Sequence, residues 1–337
     1  VEALSRGMLF WRSFTHWIGG MGILVFVVML VNTPDRSINI LKAEMPGPTV
    51  DKLVPKSKDT ARTLYIIYTA LTALEVIFLL LGGMSLFDSV VHALSTAGTG
   101  GFGAYNASAA NFSPYIQWVL TVFMFLFAIN FNLFYLILLG RMRDVFRNTE
   151  FKAFLAMVLV SVAVITAEIM PLYRTFSDSL RQAAFQVASI ISTTGFITAD
   201  FTVWTPLSKV LLLGLMFVGG CAGSTAGGLK VSRVAILFKM MRRELRHTLR
   251  PRVVDVIKMD GRRLDEQTAH SVAVYFALYI LSIAALIVGL SFSRFDLETN
   301  LFAAISCFNN VGPGFGMVGP VGNYSPYPPL FKLFLSA

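Results

Sequence analysis

Three short runs of small and polar residues recur along this chain: Thr99-Gly100-Gly101, Thr193-Thr194-Gly195 and Asn310-Val311-Gly312, followed by Phe102, Phe196 and Pro313. Their side chains offer no acid, base or strong nucleophile, so any chemistry must come from the backbone. A glycine-containing turn can aim carbonyl oxygens inward, and such oxygens replace the hydration shell of a monovalent cation. One glycine turn is weak evidence because such turns are common. Three at equivalent places in a repeat are strong.

A second group stands apart from these turns: Gly219, Gly220, Gly223, Ser224, Thr225, Gly227, Gly228 and Lys230. The run Val218–Gly228 (VGGCAGSTAGG) holds five glycines and no large side chain. A continuous helix there is disfavoured by about 1 kcal/mol per glycine. Tight helix packing is one reading. The favoured one is a non-helical segment at membrane depth, buried beneath the third turn and able to move. Lys230 either brings a positive charge near a permeation path or marks the cytoplasmic end.

The elements that must position these residues are legible in the composition. Of 337 residues, 55% are hydrophobic and 14% charged, and the mean hydropathy is +0.67, against about 25% charged in soluble domains. This describes an integral membrane protein. Apolar runs long enough to span appear at Leu9–Val31, Leu64–Gly82, Ile116–Leu139, Phe154–Met170 and Val272–Leu290. A sixth, Pro206–Met241, is too long for one span and is interrupted by the glycine run; a seventh begins near Pro329. Each turn follows an amphipathic stretch of half-membrane length that begins near an acid: Phe87–Gly103, Ser177–Phe196 and Phe295–Gly316. Helix, half-helix, glycine turn and helix therefore form an internal repeat. Asp88, Asp178 and Asp296 suit N-caps of the half-helices. If those half-helices dip into the membrane, their C-terminal ends converge at mid-depth, where the helix dipole favours a dehydrated cation.

The net charge of +9 is a matter of topology. Of the 28 Lys and Arg, Val31–Arg62 holds six, Gly140–Lys152 four and Lys230–Arg263 eleven, while Gly83–Ile116 holds none. Alternate loops are thus basic, as cytoplasmic loops are. Nucleic acid is not the partner this charge implies; the densest run, Lys239–Arg252, suits lipid headgroups or a cytosolic protein.

Enzyme classes find no site. Gly98–Gly103 spells G-x-G-x-x-G without a strand before it, and Gly223–Lys230 lacks the Gly-Lys-Ser/Thr core of a phosphate loop. No metal-ligand or catalytic constellation of His, Cys, Asp or Glu is visible, and Cys221 and Cys307 read as buried thiols. His16 and Trp17 suit an interfacial belt, and His92 a packing role. Glu75 and Glu168 are acids inside apolar spans, open to an ion or proton relay only if partnered.

Phe10–Phe26 (FWRSFTHWIGGMGILVF), Lys42–Pro48 (KAEMPGP), Ser95–Phe102, Ser192–Phe201, Gly219–Val234 and Phe308–Gly316 closely resemble the TrkH family of bacterial potassium-uptake proteins, within the Trk/Ktr/HKT superfamily. The likeness implies an all-α polytopic membrane fold of repeated helix–pore-helix–helix units around a pseudo-fourfold ion pore. By that likeness potassium is held by backbone oxygens at Thr99–Gly101, Thr193–Gly195 and Asn310–Gly312, and the Gly219–Gly228 stretch is an intramembrane gating loop. It implies a homodimer in the bacterial inner membrane with a cytosolic, TrkA-type nucleotide-binding regulator on the basic inner face, and no covalent cofactor. The expected organisation is the inner helix of a first repeat at 1–32, a cytoplasmic loop at 33–62, repeats at 63–140 and 141–241, a basic cytoplasmic segment at 242–265 and a last, truncated repeat at 266–337. The chain thus reads as a piece of a longer protein whose first filter strand precedes Val1. In the superfamily a serine replacing that strand's glycine accompanies sodium preference, so a sodium or mixed transporter is the first alternative. A secondary transporter of organic solutes with broken helices is the second.

Overall fold

A computed structural model of the chain describes residues 1–22, 58–250 and 256–336. The end of the first expected span, the KAEMPGP motif and most of the 33–62 loop lie outside these residues. Among the described residues the protein is helical apart from one two-stranded hairpin.

The second repeat opens with α2 (Lys58–Leu81), a full membrane span, and continues with the half-helix α3 (Leu86–Ala97) and with α4 (Pro114–Ala128). The third has α7 (Thr149–Ile169), the half-helix α8 (Phe176–Ile191) and the broken pair α9 (Pro206–Val218) and α10 (Val231–Leu249). The fourth has α11 (Glu266–Ser291), the half-helix α12 (Leu297–Phe308) and α13 (Pro329–Ser336). Ahead of them stands α1 (Arg6–Gly20), packed on α3. Within the described residues it ends at Gly20, short of the Leu9–Val31 span expected, with Gly22 at φ 78°. Between these repeats lie short α5 (Phe131–Leu138) and α6 (Met142–Arg147), and, between α10 and α11, the hairpin β1 (Lys258–Met259) and β2 (Arg262–Arg263).

The caps explain where these helices begin. Ser85 and Thr175, not the acids, cap α3 and α8; Asp88 and Asp178 sit three residues on. In each pair the hydroxyl accepts from the aspartate amide at 3.1 Å and donates to its carboxylate, at 2.8 Å for Ser85 and 2.7 Å for Thr175. The Thr175 hydroxyl and then Arg181 hold the exposed Asp178 carboxyl below the usual carboxylate range. Asp296 is itself the N-cap of α12, accepting from the Thr299 amide at 2.9 Å. The helices that follow the turns begin Ser113-Pro114 and Thr205-Pro206, a capping hydroxyl ahead of a residue with no amide to satisfy.

One expected span is not continuous. Ile116–Leu139 is split between α4 and α5, which meet at 91°. Asn130 caps α5 through its side chain, with the Asn132 amide donating to its Oδ1 at 2.9 Å, and the groups freed at the bend are taken up by the Gly219–Gly228 loop. The helix α10 runs unbroken across the expected boundary between residues 241 and 242.

Apolar residues face two ways, as a bilayer requires. Phe185, Val187, Ile190 and Ile191 of α8 are buried at the centre. By contrast Leu159 of α7 and Leu281 of α11 are 58% and 65% exposed, lipid-facing positions on long apolar helices. Since a capping hydroxyl is worth about 1 kcal/mol, Thr175→Ala is expected to lower the thermal unfolding midpoint in detergent and Thr175→Ser to preserve it. Equal midpoints for Thr175→Ala and the parent would remove this cap from the account of α8.

Candidate functional site

The three half-helices end in the same way. After Ala97, Ile191 and Phe308 the chain passes one residue and then enters the left-handed region at Thr99, Thr193 and Asn310, with φ of 56°, 55° and 56°. Two residues later it does so again at Gly101, Gly195 and Gly312, with φ of 64°, 80° and 99°. Non-glycine residues rarely adopt this region, so its recurrence within a degree marks one built geometry. The amide of each middle residue folds back on the helix end: Gly100, Thr194 and Val311 donate to the carbonyls of Ser95, Ser189 and Ser306 at 2.8, 2.9 and 2.9 Å.

Those same three serines brace the far end of each turn. The Ser95 hydroxyl accepts from the Phe102 amide; Ser189 donates to the Phe196 carbonyl at 2.6 Å and Ser306 to the Pro313 carbonyl at 3.0 Å. Sequence reasoning missed this part. Its signal was a serine six residues before each of Gly101, Gly195 and Gly312.

The turns stand side by side. A Cβ on Gly101 would be driven into the Thr194 carbonyl oxygen, and one on Gly195 into that of Val311. Glycine is thus required twice over, by φ and by close approach. On the corresponding side of Gly312 there is open space. Among the described residues the carbonyls of Gly100, Gly101, Thr193, Thr194, Gly195, Asn310 and Val311 accept no hydrogen bond. That of Gly312 accepts from the Tyr324 hydroxyl at 2.7 Å. Unpaired carbonyls at the C-termini of three half-helices can bind a dehydrated cation. Among the described residues no group of three or more His, Cys, Asp or Glu side chains converges on a metal position.

The Gly219–Gly228 loop lies against the turns. The Thr99 hydroxyl donates to the Thr225 carbonyl at 2.9 Å, and the Gly227 amide donates to the Thr193 hydroxyl at 2.7 Å. The Cα of Gly227 backs on the Asn309 carbonyl so closely that a Cβ would stand 2.6 Å from its oxygen. One loop therefore touches all three turns. Its other side fills the bend between α4 and α5: Cys221 donates to the Ala128 carbonyl and Phe131 to that of Gly223, both at 2.9 Å, and the Thr225 hydroxyl reaches the Phe127 carbonyl at 3.2 Å.

A staple holds the loop from the start of α7. Glu150, buried at the start of α7, accepts from the amides of Ala222 at 2.6 Å and Ser232 at 3.1 Å through the same Oε1. It thereby joins the loop to the first turn of α10. Lys230, also buried, donates to the Ala226 carbonyl inside the loop and attracts Glu150 through space. Asp260 of the hairpin in turn caps α7, accepting from the Thr149 amide at 2.6 Å and the Asn148 amide group at 3.2 Å. Glu150 carried no sequence signal beyond an acid opening a span, because its partners lie far along the chain.

Other expectations resolve differently. Trp17 packs inward within the protein: it stacks on Tyr68 at 5.3 Å and donates to the Thr72 hydroxyl at 3.1 Å. His16 packs against the Thr99 turn rather than facing headgroups. His92 is buried, its Nδ1 2.8 Å from the Asp88 carbonyl. Glu75 is buried on α2 and Glu168 half-buried on α7, and the fold does not bring them together.

Removing one side of a buried, hydrogen-bonded charge costs about 3–5 kcal/mol. Glu150→Ala is expected to lose that much stability, while Glu150→Gln, which keeps an acceptor for both amides, loses less. Thermal unfolding in detergent checks the order, and an unchanged midpoint in Glu150→Ala would dispose of the staple.

The geometry has known counterparts. A family profile described as TrkH, cation transport protein, matches residues 1–323. The Trk system potassium uptake protein TrkH of Salmonella typhimurium is 35% identical over 343 residues, covering 100% of this chain and 71% of that protein. The Trk system potassium uptake protein TrkG of Escherichia coli is 33% identical over 323 residues, covering 94% and 66% of the two chains. The crystal structure of the potassium transporter TrkH from Vibrio parahaemolyticus matches with a TM-score of 0.87 at 32% identity, covering 99% of this chain and 69% of that one. A profile match over nearly the whole chain, relatives above 30% identity and a common fold agree: this membrane protein belongs to the TrkH family of cation transport proteins.

Proposed function

We propose that this protein carries potassium across the bacterial inner membrane, through a filter of backbone carbonyls at Thr99–Gly101, Thr193–Gly195 and Asn310–Gly312, with the Gly219–Gly228 loop and Lys230 as its gate. The observation that carries this reading is the repeated pair of left-handed residues at the end of each half-helix, with the carbonyls between them unpaired. A carbonyl buried in a membrane without a donor costs several kcal/mol. A cation that exchanges its hydration shell for those oxygens removes the cost, and the half-helix C-termini add favourable potential. Potassium is the cargo named for the relatives at 33–35% identity, and the activity is transport, not catalysis.

The gate reading rests on the loop's position. Its residues 225–227 press on the inner ends of the turns through Thr99, Thr193 and Asn309, so a cation leaving the filter inward meets the loop. The loop is held by hydrogen bonds and by small buried side chains, Cys221, Ala222 and Ala226, with no large side chain to lock it, which suits a part that must move. Its anchor, Glu150, sits one residue from Thr149, which Asp260 caps from the cytosolic hairpin. That chain of contacts gives a cytosolic partner a route to the gate. The exposed Arg242 on α10 and Arg250 just after it offer the docking charge, and we assign this face to a TrkA-type nucleotide-binding regulator and the complete protein to a homodimer in the bilayer.

Two experiments test these roles in reconstituted full-length protein. Gly195→Ser is expected to lower discrimination of potassium from sodium in flux assays; unchanged selectivity in folded protein would defeat the filter assignment. Deleting part of residues 219–228 is expected to raise basal flux, and a folded deletion with parental flux would end the gate role.

A further inference from the structure

We propose that Arg12 and His16, one helical turn apart on α1, form a clamp that positions the Thr99–Phe102 strand and thereby sets cation discrimination. This rests on the filter reading and adds two specificity-determining side chains from outside the filter.

The turn and the helix are shaped to one another. A Cβ on Gly98 would stand 2.7 Å from the His16 carbonyl oxygen, and one on Gly100 would occupy the space of the His16 imidazole. The Cδ2–Nε2 edge of the imidazole lies against the Gly100 backbone. From the helix side, a Cβ on Gly20 would lie 2.8 Å from the Gly98 Cα. Gly98 and Gly100 are therefore glycine because α1 occupies the room a side chain would take, a reason separate from the backbone conformation of Gly101.

The outer end of the strand is held by both residues at once. The Arg12 Nη2 donates to the Gly103 carbonyl at 2.8 Å, and its guanidinium carbon lies 4.8 Å from the centre of the Phe102 ring. His16 meets the same ring at 5.1 Å and 72°. Phe102, the residue after the filter glycine, is thus gripped by a cation–π contact and an edge contact. The next strand solves the problem differently: Phe196 lies on His92 of α3 at 5.7 Å and 28°, and the third has Pro313 in that place. The clamp belongs to one strand and is not a feature of the repeat.

A filter favours the larger, more easily dehydrated cation only while its carbonyls keep their separation. Without the imidazole, the Gly98–Gly100 backbone has an empty space behind it into which to retreat. The Thr99, Gly100 and Gly101 carbonyls then adapt to sodium.

Full-length protein in liposomes gives the test, with potassium and sodium uptake measured on the same preparations. His16→Ala and Arg12→Ala are each expected to reduce the potassium-to-sodium flux ratio several-fold. His16→Gln, a planar group of similar reach, is expected to restore most of it. Phe102→Leu removes the surface both residues grip without altering α1, and is expected to act in the same direction. It decides the matter if the α1 variants fail to fold. A parental ratio in folded His16→Ala or, failing that, in folded Phe102→Leu overturns the clamp. Gly195→Ser separates the two readings: if it shifts selectivity while the clamp variants do not, only the clamp fails. If neither shifts it, the filter reading fails with it.

Discussion

A peptide carbonyl at membrane depth must find a donor or a cation, and most of this structure follows from how that constraint is met. Inside the spans each carbonyl is met by the helix itself. The difficulty arises wherever a helix ends within the bilayer, which happens at the three half-helices, at the bend between α4 and α5 and at the glycine loop. The protein answers the second and third with each other, pairing the loop with Ala128, Phe127 and Phe131. It leaves the first unanswered at seven carbonyls among the described residues. Those unpaired groups are the ones on which the proposed filter rests.

Holding carbonyls without partners needs a scaffold that does not let them collapse into ordinary turns. The serines at 95, 189 and 306 tie the start of each turn to its end, and the left-handed residues prevent a simple continuation of the helix. Close approach does the rest, since Gly101 and Gly195 sit against carbonyls of the neighbouring turns. The loop beneath closes the assembly through hydroxyls that belong to the turns themselves. Loop and turns are therefore one hydrogen-bonded body, anchored at Glu150 and reached from the β1–β2 hairpin through Asp260 and Thr149.

Repetition does not extend to everything. The half-helix starts are alike in two repeats, where the Ser85 and Thr175 hydroxyls cap and bind an aspartate three residues on, and differ in the third, where Asp296 caps directly. The residues behind the strands differ more: Arg12 and His16 for one, His92 for the next. The turns recur, and the parts that hold them were solved separately.

The membrane class, the half-helices, the three glycine turns and the break in the sixth apolar run were all legible in the sequence because each is local. Hydropathy over some twenty residues, a glycine at a fixed offset and a run without large side chains all express free energies of neighbouring residues. What the sequence could not decide was which faces meet. The Thr99–Thr225 bond joins residues 126 apart, Glu150 reaches Ala222 across 72, and Arg12 reaches Gly103 across 91. Hydropathy made Ile116–Leu139 one span, because the groups that compensate its 91° bend come from the loop near Cys221. It made His16 an interfacial ring for the same reason: the cavity that receives it is formed by two glycines of another element. Local propensity determined the parts, and burial of unpaired polar groups against distant partners decided their arrangement.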